Sequence, residues 1–93
     1  MIQSFKCEET QKIFQGKVSR RFPIHMQRIA ARKLEILAAV TELLSLRIPP
    51  SNHFEKLRGD RSGQYSIRIN RQWRVCFRWR DGNAYDVKIV DYH

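Results

Sequence analysis

From residue 64 to the end of the chain, apolar and polar positions alternate with a period of two, the signature of half-buried strands. In "QYSIRI" Tyr65, Ile67 and Ile69 share one side, and Gln64, Ser66 and Arg68 the other. In "QWRVCFRWR" Trp73, Val75, Phe77 and Trp79 oppose Arg74, Cys76, Arg78 and Arg80. In "AYDVKIVDY" Tyr85, Val87 and Ile89 alternate with Asp86, Lys88 and Val90. The intervening "NR" and "DGN" are short turn signals, so three consecutive antiparallel strands are expected. Upstream the period changes. Met26, Ile29, Ala30, Leu37, Val40, Leu43 and Leu44 recur at three- and four-residue steps, which predicts an amphipathic helix over residues 24–47, ended by "IPPSN". "CEETQKIFQGK" predicts a shorter helix, with Glu8 and Glu9 at its positive end and Gly16 stopping it. "IQSF" alternates as a short first strand. The order is thus β-α-α-β-β-β, an α+β fold with two N-terminal helices packed on one face of a small, mostly antiparallel, curved sheet.

Ninety-three residues allow one domain, residues 1–93. No apolar stretch is long enough to span a bilayer, and "MIQSFKCEET" lacks the long apolar segment of a secretory signal, so a cytoplasmic protein without membrane contact is expected. Cys7 and Cys76 are then expected as thiols. His25, His53 and His93 share no metal-ligand spacing with each other or with the cysteines, so no metal and no cofactor are expected.

Charge changes the picture most. The chain carries a net charge of +9, and its twelve arginines outnumber its six lysines. Arginine grips phosphate through a planar fork of donors, so an arginine-biased basic domain points to nucleic acid. Strand parity sharpens this. One sheet face carries the apolar and aromatic residues that the helices must cover. The other carries Arg68, Arg74, Arg78, Arg80 and Lys88 against Asp86 alone. Solvation asks for polarity rather than one sign of charge, so that face is expected to track phosphates. Cys76 lies in this row and reads as a small space-filler. The loop "NHFEKLRGDRSG" gathers His53, Glu55, Lys56, Arg58, Asp60 and Arg61, with Phe54 and Leu57 as its anchors to the core.

Three stretches together, "LRGDRSGQYSIRINRQWRVCFRW", the closing "GNAYDVKIVDYH" and the opening "MIQSFKCEETQKIFQGK", resemble the HigB toxins of the RelE/ParE superfamily over essentially the whole chain. The resemblance implies a RelE-like fold and a metal-independent endoribonuclease that cuts mRNA on the ribosome, at its A site, and so inhibits translation. It implies a helix-turn-helix antitoxin of the HigA kind as partner, and indirect operator DNA binding through that antitoxin. It carries a catalytic set onto Arg58, Arg74, Asp91, Tyr92 and His93. His93 is the leading proton shuttle, Tyr92 a hydrogen-bond donor or acid, and Asp91 an orienting group or base. Arg74 and Arg58 hold the scissile phosphate. Arg68, Arg78, Lys56, Arg61 and Lys88 are expected along the RNA backbone. Arg58 stands where some relatives carry lysine, and Glu55 where some active members carry histidine. Two other readings remain: a ParE-like toxin that acts by protein binding, as in gyrase inhibition, and a basic RNA-binding module without catalysis.

Overall fold

A computed structural model describes residues 1–92. The elements run α1 (Glu8–Phe14), α2 (Ile24–Ala39), β1 (Glu55–Lys56), β2 (Gln64–Arg68), β3 (Trp73–Arg80) and β4 (Asn83–Asp91), with short 3-10 turns at Leu43–Arg47, Pro50–Asn52 and Gly59–Arg61. The sheet order is β1-β2-β3-β4, every neighbour antiparallel. Both helices pack on one sheet face, against β3 and β4. The expected α+β architecture is therefore the observed one.

Four local expectations need correction. The N-terminal strand exists only as two parallel bridges, Ile2 to Ala84 and Phe5 to Val87, on the free edge of β4. The Gln3 N–H donates to the Ala84 carbonyl at 2.8 Å and the Lys6 N–H to the Val87 carbonyl at 3.0 Å. Between those bridges β4 is bulged, so a continuous ladder cannot form there.

The bulge is the second correction. Cys76 pairs with Lys88, but Arg78 pairs with Tyr85, so two residues of β4 stand opposite Phe77. Asp86 takes up the extra length in the left-handed region (φ 52), and its N–H donates to Ser4 Oγ at 2.9 Å. A one-residue offset exchanges faces. Tyr85, expected beneath the helices, lies on the outward face beside Arg78, and Ala84 fills the interior instead, fully buried.

The third concerns α2, which stops at Ala39; Val40 is already extended. Val40 and Thr41 are consecutive β-branched residues, poor at continuing a helix, and the turn that follows lets Leu46 bury completely. The buried face of α2 is Met26, Ala30, Leu34 and Leu37, closed by Gln27 and Lys33, whereas Ile29 (40% exposed) and Leu44 (59%) face outward. The fourth is β1. Its two residues, expected in a loop, add an edge strand by pairing Glu55 with Ser66 and Lys56 with Tyr65.

The core joins these layers. Ile67, Val75, Phe77 and Val87 are fully buried under Met26, Ala30, Leu34 and Leu37. Beside it, Lys33 Nζ donates to Asn52 Oδ1 at 2.6 Å, and Asn52 Nδ2 donates to the carbonyls of Leu46 and Ile48 at 3.0 and 3.3 Å. Burial, and then the charge of Arg32, holds the Lys33 ammonium below its usual pKa. Asn52 therefore locks the turn after α2 and supplies the acceptor that a buried ammonium requires. Asn52→Ala is expected to destabilise the fold by about 3 kcal/mol, because it strands one ammonium and two carbonyls. Urea unfolding measures it, and a loss under about 1 kcal/mol would mean that water replaces the lost bonds.

Candidate nucleic-acid interface

The outward face is laid out by strand register. Glu55, Ser66, Cys76 and Lys88 form one row across the four strands; Arg68, Arg74 and Val90 form the next. Toward the opposite end lie Gln64, Arg78 and Tyr85, then Arg80 and Asn83.

Arg74 is the fixed point of this surface, only 7% exposed. Its Nε donates to Ser66 Oγ at 2.8 Å, and its Nη2 donates to the His53 carbonyl. The same Nη2 stands 4.0 Å from the Glu55 carboxylate. Its guanidinium carbon lies 5.4 Å from the centre of the Tyr92 ring, and that of Arg61 lies 6.0 Å from the same ring. One phenol ring is thus approached by two guanidinium groups, and one of these is immobilised by two strands and the Pro50–Asn52 turn. The Tyr92 backbone is held as well: its N–H donates to the Gln72 carbonyl at 2.6 Å.

Cys76 forms the floor and is fully buried. Burial pushes its thiol pKa up, against the opposing pull of Arg61, Lys88 and Arg74, while Glu55 adds to the rise. Four charged side chains therefore converge over one inert thiol. Cys7 is its opposite. It caps α1 at the surface, where Arg21 Nη1 approaches its sulfur at 3.8 Å. Partial burial raises its pKa, but hydrogen bonds from Thr10 and Glu9, together with the Arg21 charge, outweigh burial and lower it. Iodoacetamide is expected to modify Cys7 alone in the native protein, with a pH midpoint below that of an ordinary cysteine. Cys76 is expected to react only in denaturant. Intact-mass kinetics decide this, and equal rates at the two thiols would contradict the packing described.

The structure brings together Arg74, Arg61, Lys88 and Tyr92 from the expected set, and adds Glu55, Ser66 and the His53 carbonyl. Arg58 is exposed where the Gly59–Arg61 turn begins. Arg68 lies opposite Arg74, with its Nε donating to the Asn70 carbonyl at 3.0 Å. Arg78 approaches Asp86 at 3.7 Å, at the far end of the face. Lys56 pairs with Tyr65 and so has the parity of the helix-covered side. Asp91 pairs with Trp73, the parity opposite to Tyr92, and its Oδ2 accepts from Gln72 Nε2 at 3.1 Å. His93 lies outside the described residues. The signal for Ser66 was its place on the polar side of β2. Glu55 could not be found by periodicity, because a two-residue strand has none. Among the described residues no group of His, Cys, Asp or Glu is placed to hold a metal ion, and no helix is long and apolar enough to cross a membrane.

Solved structures share this fold, with helices on one face of a small antiparallel sheet. A YafQ variant from E. coli superposes with a TM-score of 0.65 at 11% identity, covering 98% of this chain and 93% of that one. YoeB in the YoeB–YefM toxin–antitoxin complex of Staphylococcus aureus gives 0.55 at 18% identity, covering 100% and 98%. The sequence comparisons are closer. The HigB-like toxin family, the RelE-like toxin of the type II toxin–antitoxin system HigB, matches residues 3–93. Toxin HigB-1 of Vibrio cholerae is 41% identical over 90 residues, 96% of this chain and 95% of that protein. Endoribonuclease HigB of Proteus vulgaris is 33% identical over 94 aligned positions, 100% of both chains. The chain belongs to the HigB-like toxin family. It is a toxin of the type II class, related to the HigB and RelE ribosome-dependent mRNA endoribonucleases that block translation.

Proposed function

We propose that this chain cleaves mRNA on the ribosome, and that the cut is made over Arg74. The observation that carries the reading is the anchoring of that guanidinium by Ser66 and the His53 carbonyl, facing the Tyr92 ring. In the reaction the substrate 2′-oxygen attacks the adjacent phosphorus. The 2′-O–P bond forms, the P–O5′ bond breaks, and the products are a 2′,3′-cyclic phosphate and a 5′-hydroxyl. A base takes the 2′ proton and an acid supplies one to the departing 5′-oxygen, so side chains suffice and no metal ion is called for.

Charge building on the nonbridging oxygens is met by Arg74, which is already oriented and needs no reorganisation. Arg61 supplies a second cation near the Tyr92 ring. The Tyr92 hydroxyl donates to a phosphate oxygen. Glu55, whose carboxylate stands 4.0 Å from Arg74 on the same face, accepts the 2′ proton in this reading. His93, one residue beyond Tyr92, serves as the acid on the family pattern. Well-placed proton transfers contribute roughly 10²–10⁴-fold each.

A helix-turn-helix antitoxin of the HigA kind is the proposed cognate partner, through which operator DNA is reached. The YoeB–YefM complex is a toxin–antitoxin assembly of the same fold. Work on the ribosome places the protein in the cytoplasm. The experiment is to map transcript 5′ ends after a pulse of expression. Cuts confined to translated reading frames, and lost when ribosomes are blocked, are expected. Intact transcripts in a translating extract would end the nuclease reading.

A further inference from the structure

A hollow opens on the outward face, away from Arg74. It encloses about 280 Å³ and is lined by Gly63, Arg78, Trp79, Arg80, Tyr85 and Asp86. Arg74 and Arg78 are four residues apart on β3, about 13 Å at strand rise. An RNA strand crossing the face therefore meets this hollow with a nucleotide other than the one being cut.

Three unrelated local features shape it. The bulge at Asp86 turns Tyr85 outward and sets it across from Arg78. The Arg80 guanidinium lies over the Tyr85 ring at 4.7 Å, nearer than either arginine approaches Tyr92. Gly63, at φ +89, leaves Arg78 its space; a Cβ there would stand 3.2 Å from Arg78 Nη1. Arg78 and Asp86 are each about half exposed and meet at 3.7 Å, a pair open to a stronger anionic partner. A guanidinium set over a phenol ring, beside a second guanidinium, matches what a single-stranded nucleotide presents: a π face and a phosphate.

Resting on the RNA-cleavage reading, we propose that this hollow is a nucleotide subsite, in which an RNA base stacks on the Arg80–Tyr85 pair and its phosphate is held by Arg78. The subsite grips a flanking nucleotide and so sets the register of the strand over Arg74. Message and ribosomal RNA share this chemistry, and the test separates them.

The experiment uses a short, unstructured 2′-O-methyl oligonucleotide, which cannot be cleaved, in fluorescence anisotropy, and cosedimentation with ribosomes in parallel. Tyr85→Ala is expected to weaken oligonucleotide binding about tenfold, Arg80→Ala somewhat less, and Tyr85→Phe hardly at all, since a phenyl ring still stacks. Thermal melts confirm that each variant folds. If Tyr85→Ala is unfolded, Arg80→Ala compared with Tyr85→Phe decides the matter. A loss in the oligonucleotide arm assigns the subsite to message; a loss only in cosedimentation assigns it to ribosomal RNA. Unchanged binding in both arms overturns the subsite. Wild type that binds in a Tyr85-dependent way yet cuts no RNA with ribosomes present would remove the nuclease reading and leave the subsite standing.

Discussion

Arg74→Ala is expected to lower mRNA cleavage on programmed ribosomes by about 10²–10³-fold, the usual effect of deleting one preorganised donor to developing charge, near 3–4 kcal/mol. The physical reason is the way the guanidinium is held. Its Nε is committed to Ser66 and its Nη2 to the His53 carbonyl, so its orientation is set before substrate arrives. Lysine cannot reproduce that arrangement. Its single ammonium can satisfy Ser66 or His53 but offers no planar fork to the phosphate. Arg74→Lys is therefore expected to lose nearly as much as alanine, although the charge is kept. Ser66→Ala, which frees the guanidinium without removing it, is expected to cost less, about tenfold. Single-turnover kinetics separate these from effects on binding. Since the Arg74 substitution also leaves a buried hydroxyl without its donor, each variant is compared at a temperature where circular dichroism shows it folded. Arg74→Ala cleaving within threefold of wild type would remove Arg74 from the chemistry.

The residues of the outward face differ in how visible they are in the sequence. Strand parity alone puts Arg74, Arg78 and Lys88 on one face, because side chains alternate strictly in a regular strand. The layered plan was legible for the same reason: periods of two and of about 3.6 occupy separate parts of the chain. Tyr85 was not legible. It continues the alternation of Val87 and Ile89 without fault, and nothing local marks Asp86 as the place where β4 takes an extra residue. That bulge depends on Ser4, 82 residues away in sequence, which captures the freed N–H. The end of α2 was hidden similarly. Leu43 and Leu44 extend the helical spacing past the weak stop that Val40 and Thr41 provide, and the burial of Leu46 shows what the chain gains by leaving the helix axis there. Asp91 and Tyr92 differ again. Consecutive residues of one strand face opposite ways, so an acid and a phenol adjacent in sequence are separated by the sheet while β4 continues to Asp91. The burial of Arg74 arises from β2 and the Pro50–Asn52 turn, which no reading of β3 alone contains.

Phe77→Ala is expected to have the largest effect on stability, about 3–5 kcal/mol. Phe77 is fully buried at the middle of β3, with its ring 6.0 Å from that of Tyr65 and 6.4 Å from that of Trp79. It is also the residue opposite which β4 carries its extra length, so it packs where the sheet coils most strongly. Strand and helix meet there under a close-packed layer, and a truncated ring leaves a void that the bulged backbone is poorly able to close. For a domain of 93 residues the total stability is of the order of 5–14 kcal/mol. Losing about 3–5 kcal/mol takes away from about a fifth of the upper figure to nearly all of the lower one, and toward the lower end of the range it unfolds a measurable fraction at growth temperature. The urea midpoint is expected to fall with an unchanged m-value, followed by the fluorescence of Trp73 and Trp79. Cleavage by the folded fraction is expected to survive in the cold, since Arg74, Ser66 and Tyr92 lie on the other side of the sheet and their contacts do not pass through the ring. A cost below about 1.5 kcal/mol would mean that the sheet collapses onto α2 more readily than its bulge allows, and the outward placement of Tyr85, which depends on the same coiling, would have to be reconsidered with it.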